Sequence, residues 1–195
     1  MEQVFGNRWT SYFFNIALVV ASQSKDPSTK VGAVIVDNNK RIIATGYNGF
    51  PRGYNDDYRL YQDRSFKYPH ICHAEANAIC QAASTGMSLS GTHIFITLNP
   101  CIECAKLLIQ SGIKSVHYLT TIASREKEKE FLNDPESNWR KFKIDAIKLL
   151  LECGVSVTEY NDIHRSASVD NIAIINAYRF SLDNIDQWKG YKYAE

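Results

Sequence analysis

Apolar residues recur at helical spacing over residues 7–24, where Trp9, Tyr12, Phe13, Ile16, Val19 and Val20 predict an opening helix that Asp26-Pro27-Ser28 ends. Two β-branched runs follow, residues 31–36 and 41–47, joined by Asp37-Asn38-Asn39-Lys40, which is a hairpin signal. Residues 48–70 are polar and aromatic, with Gly49, Pro51, Gly53 and Asp56-Asp57, and read as one long loop. A loop of that length in a compact domain is usually functional or mobile. The pattern then becomes regular: a helix over 73–83, a strand over 92–98, a short helix over 101–110 ending at Ser111-Gly112, and a strand over 116–119. Two strands that each lead into a helix favour an α/β sandwich around one sheet.

Residues 125–130 alternate in charge and predict a solvated helical face. An amphipathic helix over 144–153, stopped by Gly154, leads to a last strand over 155–158. Past Asn161 the composition shifts toward Asn, Ile, Tyr and Asp, and Ile172, Ile175, Tyr178 and Arg179 predict a short helix. The expected division is a domain over 1–160 and a C-terminal extension over 161–195, whose role the sequence leaves open.

Composition narrows the function classes. The 195 residues suit one domain with an appendage, and 45% apolar with 22% charged residues excludes wholesale disorder. With 22 Lys+Arg against 21 Asp+Glu the formal charge is +1, unlike the strongly basic balance of non-specific nucleic-acid binders. No apolar run approaches the roughly 18 residues of a membrane span. The run over 13–21 is interrupted by Asn15 and lacks a basic leader and cleavage site, so a cytoplasmic location is expected. Thiols stay reduced there, and five cysteines then read as metal ligands or catalytic thiols rather than disulfides.

Three stretches carry chemistry: His73-Ala74-Glu75, Pro100-Cys101, and Cys104. Cysteines at i and i+3 on a helix project to one face and can grip one ion. A proline just before the helix costs nothing, because its missing N–H would have no partner there. Two helix N-termini aimed at one spot favour thiolates. His73, Cys101 and Cys104 number three, as in a catalytic zinc site that keeps its fourth position for water. A structural zinc staple would need a fourth side chain, and Cys72 would point away if both it and His73 begin a helix. Glu75, in the first turn, would take a proton from that water and return it to the substrate.

The spacing of His73-x-Glu75 and Pro100-Cys101-x-x-Cys104 matches the pattern of zinc deaminases. The stretches 73–79 and 100–106 resemble the cytidine and deoxycytidylate deaminase superfamily. Asp26-Pro27-Ser28-Thr29-Lys30-Val31-Gly32, the run Gly46-Tyr47-Asn48-Gly49-Phe50-Pro51-Arg52-Gly53, and Arg8-Trp9-x-x-Tyr12-Phe13 resemble its deoxycytidylate (dCMP) deaminase branch. The resemblance covers residues 7–120 closely, extends loosely to 160 and does not reach the tail. It implies a cytidine deaminase-like, three-layer α/β/α sandwich around a mixed sheet of about five strands. It also implies one catalytic zinc per chain on His73, Cys101 and Cys104, Glu75 as proton shuttle, and hydrolysis of dCMP to dUMP for the thymidylate precursor pool. A 5-modified dCMP stays open as a substrate.

Asn48 would meet the deoxyribose 3′-hydroxyl, since its amide offers both a donor and an acceptor. Ser28, Thr29 and Lys30 would hold the 5′-phosphate, although an exposed polar turn explains them equally well. The resemblance further implies activation by dCTP and inhibition by dTTP, with Mg²⁺ accompanying the triphosphate, through Gly49, Arg52 and Gly53. It implies a homo-oligomer, either a dimer or a hexamer. Tyr61 and Tyr118 would close over the base or fill the core. Cys80 and Cys153 are expected as buried small hydrophobes, and Cys72 with His70 is the pair to test for a second metal. Two other function classes remain at this stage. A polynucleotide deaminase would need a basic channel, and a non-catalytic zinc scaffold would have no use for Glu75.

Overall fold

The computed structural model describes residues 5–120, 139–165, 172–179 and 181–185. Helix α1 (Asn7–Ser22) is followed by the hairpin β1 (Gly32–Val36) and β2 (Ile42–Tyr47), a 3₁₀ turn (Tyr58–Tyr61), α2 (Arg64–His70) and α3 (Ala74–Ser84). Then come β3 (His93–Ile96), α4 (Ile102–Gln110), β4 (Ser115–Thr120), α5 (Trp139–Glu152), β5 (Ser156–Arg165), β6 (Ile172–Arg179) and the short α6 (Leu182–Ile185). One mixed sheet runs in the order β2-β1-β3-β4-β5-β6. Strands β3, β4 and β5 are parallel, while β1 lies antiparallel to both neighbours and β6 antiparallel to β5.

Alternating side chains divide between two cores. Val34, Val36, Phe95 and Leu119 pack with Phe13, Phe14 and Ala17 of α1. Ala33, Ile35, Ile94, Ile96, Val116 and Tyr118 face the other way, against Ala78 and Ala82 of α3, Leu108 of α4, and Ile147 and Leu150 of α5. Covering both faces explains why β1, β3 and β4 are buried at every position and why β1 reads as a continuous apolar run. The result is the expected three-layer sandwich.

Two glycines set how closely the helices approach. A Cβ on Gly32 would lie 2.0 Å from the Ala17 carbonyl oxygen of α1. One on Gly46 would lie 2.3 Å from the Ala74 carbonyl oxygen and 2.4 Å from the Ala78 nitrogen of α3. Gly46 therefore lets the first turn of α3 rest directly on β2.

Three expectations are corrected. Residues 48–70 are not one loop: Asp57 caps the 3₁₀ turn by accepting from the Arg59 N–H, and Asp63 caps α2 by accepting from the Ser65 and Phe66 N–H groups. Helix α2 has seven residues and contains Pro69, too short a stretch to declare its period. The segment at 172–179, expected as a helix, is strand β6; pairing with β5 supplies backbone bonds that its helical spacing did not foretell. The last strand is therefore β6, and β5 runs on to Arg165, across residue 160. The charged segment at 125–130 lies outside the described residues.

Candidate active site

Strand β3 delivers Leu98-Asn99-Pro100 to Cys101, which is the N-cap of α4; His73 is the N-cap of α3. The His73 Nδ1 atom lies 3.4 Å from Cys101 Sγ and 3.4 Å from Cys104 Sγ, and the three ligand atoms lie within 4.8 Å of one another. Zinc bonds of about 2.3 Å to sulfur and about 2.0 Å to nitrogen, at a tetrahedral angle, put N and S roughly 3.5 Å apart. The donor set and its spacing fit a tetrahedral zinc with one place left over. Among the described residues this is the one group of three or more such side chains able to hold a metal. The Cys104 N–H donates to Cys101 Sγ at 3.4 Å. With the thiols so close, Cys104 and the His73 ring hold the Cys101 thiol well below the usual range, whereas Cys101 and burial push Cys104 up. Without a cation the pair keeps one proton; a dication favours both thiolates.

Glu75 sits in the first turn of α3, buried, and lines the same cavity as His73 and Cys101. Burial pushes its carboxyl up to about 7, with His73 pulling the other way. The cavity measures about 390 Å³, within the usual range for a small-molecule site.

Its far wall is built by the loop entering β1 and by α2. Asn48 holds that wall together. Its Oδ1 accepts from the Val31 N–H at 2.7 Å, and its Nδ2 donates to the Thr29 carbonyl at 2.9 Å and to Asp26 Oδ2 at 3.4 Å. Asp26 pairs with Lys67 at 2.7 Å and accepts from the Ser28 N–H and hydroxyl. Burial opposes the charge on Asp26, but the bonds from Lys67 and Ser28 outweigh it and lower the pKa.

Ser28, Thr29 and Asn48 thus share the cavity with Glu75 and two of the three candidate ligands. Lys30 does not line it: its Nζ reaches the Ser22 carbonyl at 3.5 Å, at the end of α1. Gly49, Arg52 and Gly53 also stand outside its lining. Gly49 bridges to Cys72, the residue before His73, and Gly53 turns the chain at φ +84°.

Arg64, Lys67, Tyr68 and Ile71 line the cavity and were missed by the sequence reading. Asp63, an N-cap residue type, signals the start of their helix but not what that helix faces. Tyr118 is core, donating its hydroxyl to buried Glu159 at 2.9 Å, and Tyr61 is buried with its hydroxyl on Asp56. Cys80 and Cys153 are exposed, contrary to expectation. The buried positions of α3 are Ala74, Glu75, Ala78 and Ala82, which turn Cys80 outward, and Cys153 sits where the chain leaves α5 for Gly154. The Nδ1 atom of His70 is bonded to the Phe66 carbonyl at 2.7 Å and its ring stacks on Phe66, and among the described residues no group of three or more ligand side chains includes His70 or Cys72.

The cytidine and deoxycytidylate deaminase zinc-binding region matches residues 7–120. A probable deoxycytidylate deaminase of Drosophila melanogaster is 49% identical over 122 residues, covering 57% of this chain and 59% of that protein. The deoxycytidylate deaminase of Homo sapiens is 44% identical over 117 residues, covering 57% and 65%. The matches thus span less than two thirds of these curated relatives. The dCMP deaminase of cyanophage S-TIM5, solved in complex with dCMP and dUMP, superposes with a TM-score of 0.56 at 25% identity, over 82% of this chain and 98% of that one. Because the matched region runs from α1 to the end of β4 and encloses both helix starts that carry the His73, Cys101 and Cys104 cluster, the chain belongs to the cytidine and deoxycytidylate deaminase zinc-binding family.

Proposed function

We propose that this protein is a zinc-dependent hydrolase that converts dCMP and water to dUMP and ammonia. The observation that carries the reading is one cavity lined by two members of a His/Cys/Cys donor set, a buried carboxylate, and hydroxyl and cationic side chains. The deoxycytidylate deaminases among its relatives support the choice of substrate.

His73, Cys101 and Cys104 would hold the zinc, which when bound acidifies water into a nucleophile at neutral pH. The Glu75 carboxylate accepts the proton that the water gives up and passes it to N3 of the cytosine ring as oxygen adds at C4. It then takes the proton of the new C4 hydroxyl and hands it to the exocyclic nitrogen, so that the C4–N bond breaks, ammonia leaves and a C4 carbonyl remains. A carboxyl held near neutrality by burial gives and takes protons at little cost in either direction. Asn48 keeps one lone pair of Oδ1 for the sugar 3′-hydroxyl and fixes residues 29–31 with the rest of its amide. Ser28 and Thr29 face the 5′-phosphate.

The same reading includes activation by dCTP and inhibition by dTTP, with Mg²⁺ on the triphosphate. Arg52 in the turn at 49–53 is exposed, and that turn is tied to the active site through the bridge from Gly49 to Cys72. It also includes assembly as a homo-oligomer. Chromatographic separation of products after incubation with dCMP, with and without dCTP and Mg²⁺, tests the reading. Formation of dUMP and its acceleration by dCTP are expected. A zinc-loaded protein that leaves dCMP intact but deaminates single-stranded DNA or tRNA would overturn the substrate assignment.

A further inference from the structure

We propose that Arg64 is the specificity-determining residue that makes this cavity select a nucleoside monophosphate over the nucleoside, its guanidinium taking the 5′-phosphate; the proposal rests on the deamination reading above. Two cationic side chains from α2 line the cavity, Arg64 and Lys67. Lys67 is already committed. It pairs with buried Asp26 at 2.7 Å and donates to Ser28 Oγ at 2.9 Å, so its charge is cancelled inside the wall. Those two contacts also press the lining face of α2 against residues 26–29. Arg64 lies one helical turn before Lys67 and lines the cavity together with Thr29 and with Ser28, which Lys67 touches.

Among the described residues Arg64 has neither an ion-pair nor a hydrogen-bond partner, and it is exposed to whatever enters. The cavity therefore presents one uncompensated cation away from the metal end. A planar guanidinium donates two parallel bonds to a phosphate and stays charged at every working pH. Lys30, the cation nearest in sequence to Ser28 and Thr29, is turned toward the end of α1 and leaves this place to Arg64. A nucleoside lacking the phosphate would draw nothing from Arg64, so the residue acts on substrate choice and not on the chemistry at C4.

The experiment compares wild type, Arg64→Gln and Arg64→Lys, each zinc-loaded and checked for an unchanged unfolding midpoint. For Arg64→Gln, kcat/KM for dCMP should fall on the order of 100-fold, mainly through KM, while the low activity on deoxycytidine changes less than about threefold. Arg64→Lys should recover part of the loss, because charge is kept and the two-pronged geometry is not. Equal losses on both substrates, or an unchanged dCMP value, would overturn the proposal. Calorimetric titration with dUMP and deoxyuridine reads the same preference without turnover. A wild type that deaminates neither substrate, yet binds dUMP over deoxyuridine and loses that preference in Arg64→Gln, supports Arg64 and overturns the deamination reading. Equal dUMP affinity in wild type and Arg64→Gln overturns the role of Arg64 whatever the activity.

Discussion

Glu75 is a carboxyl group on the first turn of a helix, two residues from a candidate zinc ligand, in a place water barely reaches. In the proposed reaction it carries a proton, which an amide of the same shape cannot do. Glu75→Gln should therefore lower turnover of dCMP by about 10³- to 10⁴-fold while zinc content, read by elemental analysis, stays at the wild-type level. Loss of the metal would make Glu75 a ligand instead of a shuttle. At this scale the sequence was most informative about groups a few residues apart: His73 with Glu75, and Cys101 with Cys104. It was least informative about Lys67, Arg64 and Asp26. Their roles depend on a contact between segments about 40 positions apart, and no local spacing encodes that.

Strands β3, β4 and β5 carry a second polar chain beneath α1. Asn38 Oδ1 can only accept, so the His93 Nε2–H donates to it at 3.1 Å; His93 Nδ1 then accepts from the Ser115 hydroxyl at 2.6 Å. The Ser115 oxygen accepts from the His117 Nε2–H at 2.8 Å, and His117 Nδ1 accepts from the Tyr160 hydroxyl at 3.2 Å. In this arrangement each donor along the chain finds one acceptor. Burial, followed by the nearby Lys114 charge and opposed by Asp37, lowers His93 from 6.5 to about 4. A depressed histidine favours the folded state above its unfolded pKa. That contribution, on the order of 3 kcal/mol, is lost as pH falls from about 6.5 toward 4. The denaturation midpoint should accordingly drop across that window, and His93→Gln should flatten part of the drop; an identical pH slope in the variant would contradict it. The hydrophobic pattern predicted these strands but not their polar interior, because His93 and Ser115 meet only through the register of a parallel pair.

For the molecule as a whole, the end of the sheet matters most. Strand β5 pairs with β4 on one side and β6 on the other, and α5 is tied to it by the buried pair of Lys143 and Glu159. Ending the chain after Arg165 would leave every active-site residue named above in place but strip β5 of its outer partner. An unpaired strand edge is a template for association. The shortened protein should unfold several degrees lower and show concentration-dependent light scattering, with its zinc content retained. An unchanged unfolding temperature would mean that β6 contributes nothing to the body of the sheet.

By itself the sequence determined the layered α/β architecture and the candidate donor trio, and it pointed to Glu75 as the carboxylate beside them. Each of these is written in periodicity or in spacing within one turn, where covalent geometry dictates which side chains share a face. Only the tertiary structure decided what the substrate end of the cavity is made of. Residues 26–29, 48 and 64–71 become neighbours because Asp26 receives Lys67 and Asn48 clamps the loop entering β1. It also decided that 172–179 is a strand, since a short run of β-branched residues takes its conformation from the backbone partner it finds.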